Sequence, residues 1–398
     1  MRKFFVVATV VTLLASVSFA AAATPASATY VVTEDENTTA NTATVFSLNT
    51  TTGVTTQVKK LSTGGAGLGG GFFAATAITI TSNNSCVFIA DTGSNDIAAF
   101  AAPTYKKVGN YSNAAVNWSN SGAGGSIALS PNGKWLYGAY SGSENIGAWA
   151  VGAGCALTFI NSYTPSTGAD LFATLHVTPD GKALIVPSID FGIVTMFAIK
   201  STNGDLTEVN NVSFTSLSGC STNGCFPYGF DISGDSKVAF FGDPTTAGNG
   251  LFAMGLNINT TTGLSNPTFF TLTAAGGVGN SSFPWFTAAA YPKGTGVMYF
   301  GMAGYTNGEN SGVVVAKVNE TPGLKEVGSS LFATPDTSCN GCAGTLESHG
   351  NLAVSAQFPN LINVYTVNAT TGAFTLLKSN KDANATGLLS IHVVPQTR

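Results

Sequence analysis

The sequence predicts an all-β fold: a seven-bladed β-propeller of four-stranded antiparallel blades, whose ring is closed by the C-terminal strand. Three observations support this prediction. Charged residues make up 9% of the chain, short apolar runs show strand rather than helix periodicity, and one order of strands and turns recurs along the chain. A repeat of this kind is typical of units that bury their apolar faces against neighbouring units.

The repeat is clearest in residues 126–165, SIALSPNGKWLYGAYSGSENIGAWAVGAGCALTFINSYTP. Four apolar segments are separated by turns, the first of which is Pro131-Asn132-Gly133. Glycine suits a turn position with positive φ, and asparagine suits the entry to a turn. The segment therefore predicts one antiparallel blade. The first turn recurs at residues 81–85, 178–181, 233–236, 291–294 and 348–351.

The two ends of the chain are permuted relative to this repeat. Residue 29 begins a second strand directly, whereas residues 390–395 read as a first strand with no partners of their own. Placing that segment as the innermost strand of the N-terminal blade removes an open sheet edge. We therefore expect one propeller domain over residues 29–398, which allows about 53 residues per blade.

Residues 1–28 predict a cleavable export signal. They combine a basic start, a long apolar run and the ending Ala26-Ser27-Ala28. An uncleaved anchor over residues 4–23 is the alternative, but the Ala-x-Ala ending favours cleavage. No later segment is long and apolar enough to span a bilayer. We therefore expect an exported protein that is periplasmic, cell-surface or extracellular.

The charge of the exported chain argues against nucleic acid as a partner. Without residues 1–28 the chain has 14 basic and 20 acidic residues, a net charge of −6, and Arg398 is its one arginine. Arginine is the usual bidentate clamp for phosphate and carboxylate groups. We expect a monomer that binds a small molecule, a glycan or a protein at one loop face.

Six cysteines in an exported chain predict disulfides. Cys220 with Cys225, and Cys339 with Cys342, are close enough in sequence to close small loops, which leaves Cys86 and Cys155 as a third pair by elimination. A redox-active C-x-x-C needs a helix start to lower the thiol pKa, and Cys339-Asn340-Gly341-Cys342 lies among turn residues. A four-cysteine zinc site is the disfavoured alternative.

The segment LSTGGAGLGGGFF contains the spacing G-x-G-x-x-G at Gly65, Gly67 and Gly70. A dinucleotide site requires a strand before the glycines and a helix directly after them. Here the preceding residues are polar, and Ile78 and Ile80 alternate as in a strand. We interpret the segment as an inter-blade loop and expect no cofactor.

Candidate site residues come from the loops and from the innermost strands. Aligning those strands by their turns places seven residues at one level: Thr79, Ala128, His176, Asp231, Ala289, Thr345 and His392. His176 beside Asp231 is a weak candidate for a general base, although polar residues that satisfy each other or bind channel water are favoured. Tyr228 and Trp285 follow glycine-rich loops and are weak candidates for stacking on a ligand, as His392 is for contacting one.

Acidic residues gather in the loops between second and third strands. They include Glu34, Asp35, Glu36, Asp91 and Asp243. Such loops can bind calcium, but the D-x-D-x-D density of a dedicated site is missing. Turn chemistry accounts for most of these residues, so we expect no metal.

Residues 130–151, 178–199 and 86–100 resemble the seven-bladed lactonase-like propellers, which include 6-phosphogluconolactonase, carboxymuconate-cyclising enzymes and YVTN-type surface repeats. Enzymatic members carry Pro-His or Pro-Arg-His before an inner strand and an acidic residue at the end of a second strand. Here those places read Leu171-Phe172-Ala173 and Phe226-Pro227-Tyr228-Gly229, with Asp243 in the acidic place. The resemblance therefore implies the fold without the family's catalytic histidine and arginine.

Three functions follow from these predictions. The leading hypothesis is a binding or surface-interaction module that uses the glycine-rich loop face. The second is a divergent lactone hydrolase or cycloisomerase built on His176, Asp231, Asp243 and Tyr228 at the central channel. The third is a structural protein of the cell envelope.

Overall fold

The computed structural model describes these residues: 29–69, 76–118, 125–168, 172, 174–189, 191–220, 225–243, 251–272, 285–290, 297–303, 312–319, 323–331, 343–357, 359–368, 373–388 and 390–394. They form seven four-stranded antiparallel sheets, numbered below as blades 1 to 7 from the N-terminus. Residues 1–28, which carry the predicted export signal, lie outside the described part. Among the described residues, no helix is long and apolar enough to cross a membrane.

The strands follow one order in every blade, from the innermost to the outermost. Blades 1 to 3 comprise β28 (Ser390–Val394), β1 (Thr29–Glu34), β2 (Thr42–Leu48) and β3 (Thr55–Ser62); β4 (Ile78–Ile80), β5 (Cys86–Asp91), β6 (Asp96–Ala101) and β7 (Lys106–Tyr111); and β8 (Ser126–Leu129), β9 (Trp135–Tyr140), β10 (Asn145–Val151) and β11 (Leu157–Tyr163). Blades 4 and 5 comprise β12 (His176–Val177), β13 (Ala183–Ser188), β14 (Ile193–Ile199) and β15 (Leu206–Ser213); and β16 (Phe230–Ile232), β17 (Val238–Asp243), β18 (Leu251–Asn259) and β19 (Gly263–Leu272). Blades 6 and 7 comprise β20 (Trp285–Ala290), β21 (Val297–Ala303), β22 (Gly312–Asn319) and β23 (Gly323–Leu331); and β24 (Ala343–His349), β25 (Leu352–Gln357), β26 (Leu361–Val367) and β27 (Phe374–Lys381).

The innermost strands form a closed ring. Contacts join β28 to β4, β4 to β8, β8 to β12, β16 to β20, β20 to β24 and β24 to β28. Blades 4 and 5 meet where the His176 ring packs edge-on against the Phe230 ring, with centroids 4.7 Å apart. The predicted all-β propeller is therefore confirmed.

Ring closure uses the C-terminal strand as the sequence predicts. β28 pairs antiparallel with β1, from Tyr30 opposite Val394 to Glu34 opposite Ser390. Ile391 and Val393 are buried against blade 7, whereas Val394 is buried in the cluster shared by blades 1 and 2. One short strand thus closes the sheet of blade 1 and joins the clusters on both of its sides.

The apolar core lies between blades. Blades 2 and 3 share a buried cluster that includes Phe88, Trp118 and Trp149, and the Trp118 ring stacks on Tyr140 at 4.2 Å. Similar clusters join blades 1 and 2, 3 and 4, 4 and 5, and 7 and 1. This arrangement explains why middle strands such as β5 and β13 are buried at every position, since both of their faces contact a neighbouring blade.

A β-bulge recurs between the third and fourth strands of all seven blades. The register shifts directly before Phe46, Phe100, Trp149 and Phe197 in blades 1 to 4, between Gly255 and Asn257 in blade 5, and directly before Ala316 and Tyr365 in blades 6 and 7. Such a bulge increases local twist and moves one residue out of the ladder. The repeated bulge gives a fixed reference for comparing levels in different blades.

Two predicted disulfides are present. Cys86 in β5 is bonded to Cys155, which ends a 3-10 turn at Ala153–Cys155, so this bond joins blade 2 to blade 3. Cys220 is bonded to Cys225 before the inner strand of blade 5. The predicted pair Cys339 and Cys342 lies outside the described residues.

The inter-blade disulfide should contribute more stability than the local one. Cys86 and Cys155 are separated by 69 positions, and Cys220 and Cys225 by 5. The chain-entropy relation gives about 4 kcal/mol for the longer loop and about 2 kcal/mol for the shorter. We expect C86A/C155A to lower the free energy of unfolding about twice as much as C220A/C225A, measured by urea unfolding. Equal losses would show that loop length does not set the contribution.

Candidate functional site

The innermost strands place titratable side chains at one level of the ring. Counting from the recurrent bulge, the residues at this level are His392, Thr79, Ala128, His176, Asp231, Ala290 and Glu347 in blades 1 to 7. The predicted candidates His176, Asp231 and His392 are therefore at one level, as the turn alignment indicates. Ala290 and Glu347 occupy the places that the alignment assigns to Ala289 and Thr345.

The turn alignment is wrong in blade 7 because its first hairpin is shorter. His349 pairs directly with Leu352, which leaves two turn residues, whereas Thr178 pairs with Ala183 across four in blade 4. Gly350 has a φ of 60°, which suits such a tight turn. The level therefore falls on Glu347. The sequence clue is the glycine in SHGN, which occurs earlier than in the longer turns.

Glu347 lies beside His392 where blade 7 meets blade 1. His392 Nδ1 is 3.6 Å from Glu347 Oε1, and the histidine is 4% exposed. A carboxylate beside an imidazole can orient the ring. This pair therefore has the composition of an acid–base pair, but its imidazole is almost fully buried.

His176 and Asp231 form the corresponding arrangement on blades 4 and 5. Both side chains are partly buried, and the His176 ring contacts Phe230, the residue next to Asp231. Asp231 Oδ1 accepts a hydrogen bond from the Ile232 backbone N–H at 2.8 Å. The ring level thus carries a histidine and a carboxylate on neighbouring blades at two separate places.

The loop positions at which the resembling enzymes carry catalytic residues are buried here. Phe172 is fully buried in the cluster between blades 3 and 4, and its backbone N–H donates to Ser141 Oγ at 3.1 Å. Tyr228 is 1% exposed and packs with Ile189 and Phe226. Burial raises the pKa of the Tyr228 hydroxyl above its usual range. In this conformation neither ring is available for stacking on a ligand.

Two further candidates fall at the limit of the described part. Asp243 ends β17, opposite Phe252, and Trp285 begins β20, opposite Ala303. Their backbones follow the predicted strands, but their side chains lie outside the part that the structure describes.

A buried acidic cluster lies at the loop face of blades 1 and 2. We use this name for Glu34, Asp35, Glu36, Asp91 and Asp382, all of which are 0% exposed. Asn41 bridges two of them, because its Nδ2 donates to Glu34 Oε1 at 2.5 Å and to Asp91 Oδ1 at 2.8 Å. The sequence pattern indicates that most of the acidic loop residues, which include Glu34, Asp35, Glu36 and Asp91, are turn formers, and it does not predict their burial.

Burial raises the pKa of the carboxyl groups in this cluster. It is the main cause of the rise at Glu34, where repulsion from Glu36 adds to it, and at Glu36 itself. Burial also raises the pKa of Asp35 to about 8, assisted by Asp382, and that of Asp91 to about 7. As carboxylates, Glu34 Oε2 and Glu36 Oε1 would both lack a donor. A proton on Glu34 supplies one, consistent with a hydrogen bond between their side chains.

The Asp35 carboxylate is held by hydroxyl groups at the ring closure. It accepts from Thr42 Oγ1 at 2.6 Å, from Thr44 Oγ1 at 3.0 Å and from Thr33 Oγ1 at 3.1 Å. Thr33 Oγ1 also lies 2.7 Å from Asp382 Oδ2, in the segment that leads to β28. The cluster therefore connects the first described strand of the chain with the last.

The glycine-rich loop packs directly on this cluster. Leu68 N–H donates to Glu36 Oε2 at 2.8 Å, and Gly67 N–H donates to the Asn37 carbonyl at 2.7 Å. A Cβ on Gly65 would lie 2.6 Å from Asp91 Cβ. These glycines therefore serve close packing against carboxyl groups. Gly70, the third glycine of the spacing, lies outside the described residues.

Substituting one of these glycines should destabilise the loop face. A Cβ on Gly67 would lie 2.8 Å from the Glu36 Cα, so the backbone of one loop must move. We expect Gly67→Ala to lower the free energy of unfolding by about 2 kcal/mol, the usual cost of overpacking. Gly234→Ala is the control, because nothing lies within 4 Å of its added Cβ. Equal thermal midpoints for both variants would contradict the prediction.

Metal-site geometry is not formed in the described part. Its residues contain no group of three or more His, Cys, Asp or Glu side chains that could hold a metal ion. This finding includes the acidic cluster, in which some of the oxygens accept from Asn41, threonine hydroxyls and backbone N–H groups.

Comparisons with known proteins agree with the fold. Residues 102–217 match a family described as "Lactonase, 7-bladed beta-propeller". The structure of a candidate 6-phosphogluconolactonase from Bacteroides fragilis is similar, with a TM-score of 0.68 and 16% identity over 93% of this chain and 99% of that one. A Lactobacillus plantarum protein also has a TM-score of 0.68, with 15% identity over 92% and 99% of the two chains.

A candidate 6-phosphogluconolactonase from Bacteroides uniformis has a TM-score of 0.66 and 13% identity over 92% of this chain and 99% of that one. No curated protein matches the sequence. The predicted resemblance to lactonase-like propellers is confirmed over residues 102–217, and the similar structures share the seven-bladed β-propeller fold of this chain. The matching family segment runs from the end of the third strand of blade 2 through the fourth strand of blade 4.

Proposed function

We propose that this chain is an exported binding propeller that takes a small molecule, a glycan or a protein at its glycine-rich loop face and lacks the lactonase reaction of the enzymes it resembles. In this proposal residues 1–28 are removed on export and the protein acts as a monomer. Amino-terminal sequencing of the secreted protein should then begin at Thr29.

One observation carries this proposal. At the two loop positions where the resembling enzymes place catalytic side chains, this chain has Phe172 and Tyr228, and both are buried in the core. A buried phenyl ring has no group for proton transfer, and the raised pKa of the Tyr228 hydroxyl makes it a poor general base near neutral pH. These two positions therefore argue against acid–base catalysis by the loops.

Hydrolysis assays test the proposal. We expect the purified full chain to hydrolyse no member of a panel of sugar lactones and muconolactones above the uncatalysed rate. Thermal unfolding in the presence of mono- and oligosaccharides should show a midpoint that rises with ligand concentration. Turnover that is abolished by His176→Ala or Asp231→Asn would overturn the non-catalytic proposal.

A divergent hydrolase or cycloisomerase is the second candidate function. It is favoured by the ring level, where Glu347 pairs with His392 and where His176 and Asp231 occupy neighbouring blades. If a lactone is turned over, Glu347→Gln should lower the rate and change its pH profile, because the variant keeps the shape but removes the charge. An unchanged profile would remove this pair from the mechanism.

A structural protein of the cell envelope is the remaining alternative. The low fraction of charged residues is its support. Such a protein should show neither turnover nor a ligand-dependent rise in the unfolding midpoint, so the two assays above separate all three functions.

A further inference from the structure

The outer edges of three neighbouring blades carry an exposed set of lysines. We name this set the basic rim; its members are Lys378 and Lys381 of β27, Lys59 and Lys60 of β3, and Lys106 and Lys107 of β7. All six are exposed. They are six of the 14 basic residues in a chain whose net charge without residues 1–28 is −6. The basic rim is therefore positively charged, whereas the chain as a whole has a negative net charge.

The three strands form one continuous surface. Asn380 of β27 donates from Nδ2 to the Gly53 carbonyl at 2.9 Å and accepts from the Thr55 N–H at 3.0 Å, which joins blade 7 to blade 1. Lys59 reaches the Thr104 carbonyl, which joins blade 1 to blade 2. The three lysine-bearing strands therefore lie on consecutive blades, and hydrogen bonds join each blade to the next.

Few carboxylates offset this charge. β3, β7 and β27 contain no Asp or Glu, and within the described residues none of the six lysines is in an ion pair. Asp96, at the start of β6, accepts instead from Ser94 Oγ and from Asn110 Nδ2. Asp382, which follows β27 directly, is fully buried. The exposed positive charge is left for solvent or for an external anion.

Protection of a sheet edge does not explain the distribution. Lysine on an edge strand discourages pairing with other chains, and this need is the same for all seven outer strands. However, β11 (LTFINSY) and β19 (GLSNPTFFTL) contain no charged residue, and β15 contains Glu208 as its one charge. The lysines are concentrated on three consecutive blades.

We propose that the basic rim binds an anionic polysaccharide, a flexible sugar chain bearing carboxylate or sulfate groups. Neighbouring blades of a seven-bladed ring are rotated by about 50°, so three outer strands cover about 100° of a convex rim. A flat membrane cannot contact all three strands together, whereas a flexible chain can follow the curve. Between the lysines lie Gln57 and Ser379, whose amide and hydroxyl groups suit sugar hydroxyls.

The lysine composition also favours this occupant over nucleic acid. Proteins that recognise phosphodiester backbones commonly use arginine for bidentate contacts, and the basic rim contains none. Lysine is a compact point charge that pairs with carboxylate or sulfate groups and does not require bidentate geometry. The basic rim adjoins the glycine-rich loop at one place, since a Cβ on Gly64 would meet Lys107 Nζ. The inference rests on lysines of the outer strands and does not depend on the proposed function.

The test compares two variants of equal charge. K59Q/K60Q/K106Q/K107Q removes four lysines of the basic rim, and K134Q/K182Q/K200Q/K237Q removes four lysines from other blades. Binding of the full chain to fluorescent dextran sulfate and to polygalacturonate is measured at several salt concentrations, with neutral dextran as the reference polymer. We expect binding that weakens with salt, a loss of at least tenfold in the rim variant, and less than twofold in the other.

Three outcomes would overturn the proposal. One is equal loss in the two variants, which would assign binding to net charge alone. Another is absence of binding to both polyanions at low salt. The third is tighter binding to phosphatidylglycerol vesicles or to duplex DNA, with the same sensitivity to the rim substitutions. Circular dichroism of both variants should be unchanged, because all the substituted side chains of the rim are exposed.

Discussion

A chain ended after Leu388 should lose cooperative folding, because β28 supplies the innermost strand of blade 1. Removing that strand exposes the edge of β1 and takes away Ile391, Val393 and Val394, which are at most 6% exposed. Burial of three such side chains stabilises by about 5 kcal/mol, which is a large part of the stability of a typical domain. We expect rapid proteolysis of the shortened chain and no sharp unfolding transition in urea.

A chain that ends after Val394 is the matched control for this deletion. It keeps every residue of β28 and removes residues 395–398, which lie outside the described part. We expect its unfolding midpoint to equal that of the full chain. Val393→Asp tests the same closure without shortening the chain, since it places a carboxylate at a position that is 1% exposed. Normal stability of either the shortened chain or Val393→Asp would show that closure by β28 is dispensable.

Stability should fall as the pH rises from 5 to 9. Burial raises the pKa of Asp91 to about 7 and that of Asp35 to about 8 in the folded state, whereas unfolded aspartate has a pKa of about 4. Between these values the folded state holds protons that the unfolded chain releases. Stability is therefore greatest below the unfolded pKa and decreases until the pH passes the folded pKa. The expected loss is on the order of 5 kcal/mol.

Neutral variants should reduce this dependence. D35N/D91N replaces both carboxyls with groups that do not titrate, so its free energy of unfolding should fall less between pH 5 and pH 9 than that of the wild type. The fall that remains comes from Glu34 and Glu36, whose pKa burial also raises. D180N/D235N is the control, because lysine and hydroxyl neighbours lower the pKa of Asp180 and Asp235 and favour their charged forms. Urea unfolding at pH 5, 7 and 9 provides the measurement. A wild-type stability that increases with pH would contradict the prediction.

Much of the fold could be predicted because a propeller repeats its pattern. The turn at residues 131–133 and the permuted ends are local sequence features, and they determine blade number and closure without long-range information. The Cys86–Cys155 bond follows from cysteine spacing by elimination once the two local pairs are assigned. To predict these features, it is enough to know the order of the strands, and the sequence pattern indicates that order.

The candidate site was harder to predict because it depends on depth and register. A hairpin two residues shorter moves Glu347 to the level of His392, and turn alignment cannot detect that change. Glu34 and Glu36 read as polar loop residues, yet both are fully buried beneath the glycine-rich loop. Burial of a carboxyl depends on which loop of a neighbouring blade covers it, and that contact is not local in sequence.

The pairing of β28 with β1 also has a consequence for the order of synthesis. Blade 1 is the first blade of the ring to be translated, but its innermost strand β28 follows the other 27 strands in the sequence. Until β28 is made, β1 keeps an open edge. The pairing of β28 with β1 therefore joins segments that are very far apart in sequence, and such pairings form slowly. This propeller can close only after all of its strands have been translated, and a chaperone that covers the edge of β1 would protect the open ring until then.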